Sequence, residues 1–278
     1  MKHSSYEILI PETSILKDLV ESFYFIEKGK AIKNYIVYPH TNCNLSLLMG
    51  VDLKINDYKV VINKTTARNY SSIIAKRTNC FLEVEYTDDS VYEVAINFKP
   101  IGICCFSNFI FSSEKNFYTV TSFNNDVPNL FSKLTLCENK TEKLKLVEQF
   151  LMAKFNPIPN LVALLKAVKL LRDFENKFSI IDIAKSVNLN QKQLNRYFNK
   201  YIGCSPAHFR RIERFRKSIY DYVNPEVKYN LTKLAYKFEY TDQAHLINEF
   251  KKLTNDTPKI FFKNLSVLGN GKILWKVK

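Results

Sequence analysis

The sequence predicts an α+β chain in which a β-rich N-terminal part precedes an all-α C-terminal part. Three observations carry that expectation. Short β-branched and aromatic runs with period-2 alternation fill the stretch up to Lys99, helical spacing takes over after Phe123, and residues 161–278 hold a degenerate internal repeat together with most of the excess positive charge. At 278 residues and 46% hydrophobic, the chain has enough apolar material to build two domains with real cores.

In the first part, YIVYP, LSLLMGVDLKI, YKVVIN, SSIIAKR and CFLEVEYTDDSVYEVAINFKP follow one another, broken by polar turns. FLEVEY and SVYEVAINF alternate on both sides of Asp88-Asp89, which predicts a hairpin turning at those residues. Alternating apolar faces with few glycines fit a barrel or a sandwich, cupin-like in outline, whose interior is either packed or hollow. Beyond Phe123, VPNLFSKL and TEKLKLVEQFLMAKF read as helices, the second with Leu144, Val147, Phe150 and Leu151 on one face. Such helices either flank the sheet or pair with those of a second copy, and flanking is the ordinary use. Pro157 and Pro159 mark the junction, so a sensory or oligomerisation domain is expected over 1–157 and another domain over 158–278.

Charge separates the two parts. Residues 1–160 carry 18 Lys+Arg against 17 Asp+Glu, whereas residues 161–278 carry 23 against 10, so the basicity belongs to the second part alone. A basic module joined to a neutral one points to a polyanionic partner, and nucleic acid fits better than a membrane, because the basic segment has no lipid-facing apolar face. No uninterrupted apolar run reaches transmembrane length, and MKHSSYEILIPETS lacks the apolar core of a leader, so no membrane association and a cytoplasmic location are expected. The six cysteines form no C-x-x-C pair and two are adjacent, an arrangement that suits reduced thiols. Cys104-Cys105 is either a thiol sensor or, beside Ile103 and Phe106, part of a core.

The repeat lies in the basic part. Ile183-Ala184, Leu189, Leu194, Phe198, Ser205-Pro206 and Phe209 are answered by Leu234-Ala235, Tyr240, Leu246, Phe250, Thr257-Pro258 and Phe261, with one extra residue before Leu246 where a turn falls. Each copy reads as a short helix with a small alanine, a tight turn and a second helix, which is a helix-turn-helix over about 180–202 and again over about 231–254. Asn190 caps the second helix of the first copy, Thr241 or Asp242 that of the second, and Ser205-Pro206 and Thr257-Pro258 open the helices that follow. Between the copies, PAHFRRIERFRKSIYDYV is one long helix that buries Phe209, Ile212, Phe215, Ile219 and Tyr222 and leaves Arg210, Arg211, Arg214 and Lys217 available.

Together with YTDQAHLINEFKKLTNDTPKIFF, these copies and their connecting helix resemble the paired helix-turn-helix domain of AraC/XylS-family transcription regulators over roughly residues 160–265. YPHTNCNLSLLMG, VAINFKPIGICCF and DVPNLF are similar to the N-terminal regions of some bacterial members. The resemblance implies DNA binding by the C-terminal domain and effector sensing or dimerisation by the N-terminal one. It admits double-stranded DNA, RNA polymerase, a small-molecule effector and a second copy of the chain as partners. Asn188 and Glu239 stand where the family usually has glycine; asparagine tolerates a left-handed corner and glutamate less so.

On the second helix of the first copy, Lys192, Asn195, Arg196 and Asn199 form one row beside the buried Leu194 and Phe198. Gln191, Lys192, Asn195 and Arg196 are expected to read bases in a major groove, where Arg or Lys suits guanine and Asn or Gln suits adenine. In the second copy Gln243, Ala244, Ile247 and Asn248 are their counterparts, Ala244 and Ile247 suiting a thymine methyl. Asn199, Ser205, His208, Arg210, Arg211, Lys251, Lys252, Thr257 and Lys259 are expected near phosphates. An enzyme is not expected: no phosphate-binding, dinucleotide or H-E-x-x-H motif occurs, and the histidines at 3, 40, 208 and 245 lack metal-ligand spacing. No cofactor is implied. A different reading keeps the charge without the specificity: an architectural DNA-binding protein whose N-terminal part makes protein contacts.

Overall fold

The computed structural model describes residues 8–26, 34–88, 90–112, 115–123, 125–176, 178–223, 229–268 and 273–277. Its first part runs β1 (Ile8–Leu9), α1 (Ser14–Leu19), β2 (Val20–Ile26), β3 (Asn34–Val37), β4 (Cys43–Met49), β5 (Val51–Ile55), β6 (Lys59–Lys64), β7 (Tyr70–Lys76), β8 (Leu82–Tyr86), β9 (Tyr92–Phe98), a 3-10 turn at Gly102–Cys105 and β10 (Phe117–Thr119). Helices follow: α2 (Val127–Leu134), α3 (Lys140–Met152), α4 (Leu161–Leu171), α5 (Ile180–Ser186), α6 (Gln191–Tyr201), α7 (Pro206–Val223), α8 (Leu231–Lys237), α9 (Gln243–Thr254) and α10 (Pro258–Asn264), then strands β11 (Ser266–Leu268) and β12 (Ile273–Val277). No helix among the described residues is long and apolar enough to cross a membrane.

The β-rich part is a sandwich. One sheet has the order β1-β2-β9-β4-β7-β10, the other β11-β12-β3-β8-β6-β5, and Ile26, Leu48 and Ile73 of the first meet Val37, Val60 and Ile62 of the second in a shared core. The other face of the first sheet is covered by helices: Phe131 of α2 lies against Tyr70 and Tyr92 with ring centroids 5.6 Å apart, and Leu144, Val147 and Leu151 of α3 are buried, so these helices flank the sheet. Phe150 is half-buried beside them.

The expected hairpin across Asp88-Asp89 is corrected. β8 pairs with β3 and, in parallel, with β6 in one sheet, whereas β9 lies between β2 and β4 in the other. Asp89 itself lies outside the described residues. The physical reason is burial on two faces: every residue of β9 from Glu93 to Phe98 is buried, so it takes a central place with partners on both edges, while β8 keeps Glu83 and Glu85 half exposed. Likewise LSLLMGVDLKI is two strands, because the chain passes from one sheet to the other at Gly50, whose φ of 65° suits a residue without a Cβ.

Two features join the halves. The core of the first sheet continues into the first helix-turn-helix through Leu194, Phe198 and Phe209. Gly203 sits so close to the sandwich that a Cβ would lie 2.8 Å from Lys76 Cδ and 2.9 Å from Phe111 Cβ. In the second unit Phe215, Phe250 and Phe261 pack ring to ring, and Tyr38 meets Phe261 edge-on at 4.7 Å. The chain's last described strand, β12, then returns to pair with β3, Trp275 opposite Val37 and Val277 opposite Tyr35. Residues expected to belong wholly to the second domain thus complete a sheet of the first.

Candidate nucleic-acid interface

The two helix-turn-helix units are built by the same local chemistry. In the first, Leu189 N donates to Ala184 O at 3.0 Å and Asn188 N to Lys185 O at 3.1 Å; in the second, Tyr240 N donates to Ala235 O at 2.9 Å and Glu239 N to Tyr236 O at 3.4 Å. This paired closure of a helix C-terminus requires a left-handed residue just past the end, and Asn188 (φ 56°) and Glu239 (φ 58°) supply it. The second corner therefore has the same shape as the first, with glutamate in a conformation that favours glycine. Buried Ala184 and Ala235 let the two helices of each unit approach.

Caps then set where each exposed helix begins. Asn190 and Gln193 form a reciprocal capping box at 2.8 and 2.9 Å, and Asp242 accepts from His245 N at 2.7 Å, which places the start of α9 on Asp242 rather than Thr241. Ser205 and Thr257 accept from His208 N and Ile260 N at 3.2 and 3.4 Å. His245, its Nδ1 facing Thr241 N at 3.3 Å and its ring edge-on to Tyr240, is a structural side chain of the second corner.

On α6, Gln191, Lys192, Arg196 and Asn199 are exposed and Asn195 is half-buried, while Leu194 and Phe198 are fully buried. Asn199 Nδ2 donates to Asn195 O at 2.9 Å, and the Arg196 guanidinium lies 5.3 Å from the Tyr197 ring. On α9, Ala244, Asn248, Lys251 and Lys252 are exposed and Ile247 is half-buried. Gln243 Oε1 accepts from Thr232 of α8 at 2.8 Å, which orients its amide from behind. Lys259 is exposed at the first turn of α10.

The arginines of α7 differ from the sequence expectation that they stay available. Arg210 donates to Phe178 O ahead of α5; Arg211 forms a two-pronged salt bridge with the buried Glu249 of α9; Arg214 donates to Glu239 O at 3.1 Å and lies 4.7 Å over the Tyr240 ring. Buried acceptors need donors, and the long helix supplies them to both units. Lys217 is exposed, and Tyr222 is 37% exposed rather than buried, its ring stacked on Phe262 at 3.9 Å. His208 turns to the sandwich, its Nε2 2.6 Å from Thr78 O.

One cluster was not read from the sequence. Glu213, the acid inside the basic run RRIERFRK, accepts from Arg172 Nε and Nη2 at 2.9 and 2.8 Å and from Thr41 Oγ1, tying α7 to α4 and to the loop before β4. Arg216 is buried and His40 half-buried alongside, and desolvation first, then the charges of Arg216, Arg77 and Arg172, hold the His40 pKa well below its ordinary value. A lone acid among bases was the available signal. Cys104 and Cys105 are core residues whose thiols burial pushes up; Cys104 Sγ faces Tyr201 O at 3.6 Å. That environment suits an inert thiol.

A family comparison agrees with the helix-turn-helix geometry. Residues 183–264 match the family model described as "Helix-turn-helix domain". A curated protein, the uncharacterized HTH-type transcriptional regulator YdeC of Bacillus subtilis (strain 168), is 27% identical over 90 residues, which is 32% of this chain and 30% of that relative. Among solved structures, ToxT from Vibrio cholerae aligns with 16% identity and a TM-score of 0.45 over 87% of this chain and 96% of its own. ToxT from the O395 strain aligns with 17% identity and a TM-score of 0.43 over 87% and 95%.

Proposed function

Since residues 183–264 form a helix-turn-helix domain of the AraC type, we propose that the chain is a sequence-specific DNA-binding transcription regulator that reads two successive major-groove segments. The observation that carries this reading is the duplication itself: two units with the same corner geometry, each presenting an exposed row, held on one helix by Arg210, Arg211 and Arg214. A solvated face explains one such helix; it does not explain two in the same frame. Gln191, Lys192, Asn195 and Arg196 read one segment and Gln243, Ala244, Ile247 and Asn248 the next, about 34 Å or one turn away. Asn199, Lys251, Lys252 and Lys259 are exposed and would hold phosphates. Ser205 and Thr257 would add helix-start contacts, and His208, Arg210 and Arg211 would have to exchange a protein partner for a phosphate. The sandwich takes the sensing or dimerising role, and contact with RNA polymerase belongs to the same proposal.

Selection of bound duplexes from random DNA at ~0.15 M salt, near physiological screening, tests the reading. A two-part motif with centres about 10 bp apart supports it. A featureless pool with retained, salt-sensitive binding favours the architectural reading, in which charge alone holds DNA.

A further inference from the structure

The two reading rows share one residue type at one position. Gln191 opens α6 after the cap Asn190 and Gln243 opens α9 after the cap Asp242, whereas Lys192, Asn195 and Arg196 are answered by Ala244, Ile247 and Asn248. Equivalent caps start both glutamines from the same turn of their helices. Their supports differ. Thr232, the second residue of the seven-residue α8, donates from Oγ1 to Gln243 Oε1 at 2.8 Å. The second residue of the seven-residue α5 is Ile181, 49% exposed, whose side chain neither donates nor accepts. The Gln191 amide has no hydrogen bond among the described residues.

A free glutamine is an indiscriminate reader. Its amide donates at one end and accepts at the other, so it meets the N6 donor and N7 acceptor of adenine in one orientation and, after half a turn, the acceptors of guanine. It also loses more rotamer freedom on being fixed than most side chains. A carbonyl oxygen has two lone pairs, and Thr232 occupies one of those on Gln243 from the α8 side. The other lone pair and the NH2 group remain, which is the acceptor and donor pair that an adenine edge matches. Both residues are exposed, so the bond between them buries nothing and acts on orientation.

We propose that Thr232 is a positioning residue that makes Gln243 the stricter of the two glutamines, selecting an adenine in the second segment, and that Ile181 leaves Gln191 the permissive one. The bond to Thr232 holds the amide in place before DNA arrives, so less freedom is lost on binding. The half-turn that would admit guanine must break that bond and reorient the hydroxyl. The proposal rests on the DNA-binding reading above and adds to it which of two like residues sets a base preference, and through what.

To test it, duplexes are selected from random DNA at ~0.15 M salt with the full chain, and the base pair relaxed by Gln243→Ala or by Gln191→Ala is assigned to that glutamine. Competition between duplexes that differ only there measures the preference. An A·T pair is expected over G·C at the Gln243 position, more strongly than at the Gln191 position. Thr232→Val, of nearly the same shape, should lower that preference roughly three- to tenfold, the worth of one lost hydrogen bond, with Tm and every other position unchanged. Thr232→Ser should keep it, and Thr232→Ala should repeat the loss if the valine variant does not fold. Ile181→Thr should raise the preference at the Gln191 position. An unchanged preference in Thr232→Val, or an equal loss of affinity for every sequence, overturns the proposal while leaving the two-part motif and the regulator reading in place. A featureless pool from the unaltered chain overturns both.

Discussion

At the scale of single residues, the two corners make a controlled comparison. Asn188 and Glu239 adopt the same left-handed conformation, yet a side chain there costs about 1–2 kcal/mol for most residues, and asparagine is among the few that visit it readily. Arg214 meets Glu239 at its backbone carbonyl, so truncating the Glu239 side chain leaves that hydrogen bond in place. After the backbone entropy of glycine is set against the relief, Glu239→Gly should stabilise by about 0.5–1 kcal/mol. Asn188→Gly should change little; urea unfolding of both variants checks the difference. His40 gives a prediction in pH. Its Nδ1 accepts from Asn42 N at 2.9 Å, which requires a neutral acceptor, and its folded pKa lies well below 6.5. A depressed folded pKa means that the unfolded chain binds a proton the folded chain refuses. This contribution to stability is therefore complete above about pH 6.5 and is lost as pH falls below it. The urea midpoint should drop between pH 7.5 and 5.5, and His40→Gln should flatten that drop.

At the scale of elements, α6 and α7 use their arginines differently: Arg196 of α6 is exposed, whereas Arg211 of α7 holds the buried Glu249. Arg196 stands on an exposed row, so Arg196→Ala should leave Tm unchanged and cost about 1–3 kcal/mol of binding, relaxing preference at one base pair. A uniform loss across all sequences would make it a phosphate contact. Arg211 behaves oppositely, because its removal leaves the buried Glu249 carboxylate short of a donor. Arg211→Ala should destabilise the fold by about 1–3 kcal/mol, with Glu249→Gln recovering part of the loss in the double variant. The contrast was only half legible beforehand. Helical spacing places Arg196 and Arg211 equally on polar faces, and nothing local distinguishes an arginine facing solvent from one facing a carboxylate 38 residues away.

At the scale of the whole molecule, the halves are joined by a strand as well as by side chains. β12 covers the edge of β3, and an uncovered edge presents unpaired N–H and C=O groups to any other chain. Deleting residues 266–278 should lower stability and produce concentration-dependent association, seen by light scattering. Unchanged stability and unchanged association would make the strand dispensable. The exchange of β8 and β9 between sheets is another fact of this scale, since alternation records which face is buried and not which strand is the neighbour.

Composition and spacing by themselves determined the two-part architecture, the duplicated helix-turn-helix, the caps at Asn190, Ser205 and Thr257 and the exposed row on α6, because each rests on periodicity or on hydrogen bonds within a few residues. Tertiary structure alone decided that the β part is a sandwich and that Arg210, Arg211 and Arg214 hold the units together. It also decided that β12 completes the first domain's sheet. Those outcomes depend on pairings between distant segments, whose free energy no local pattern encodes.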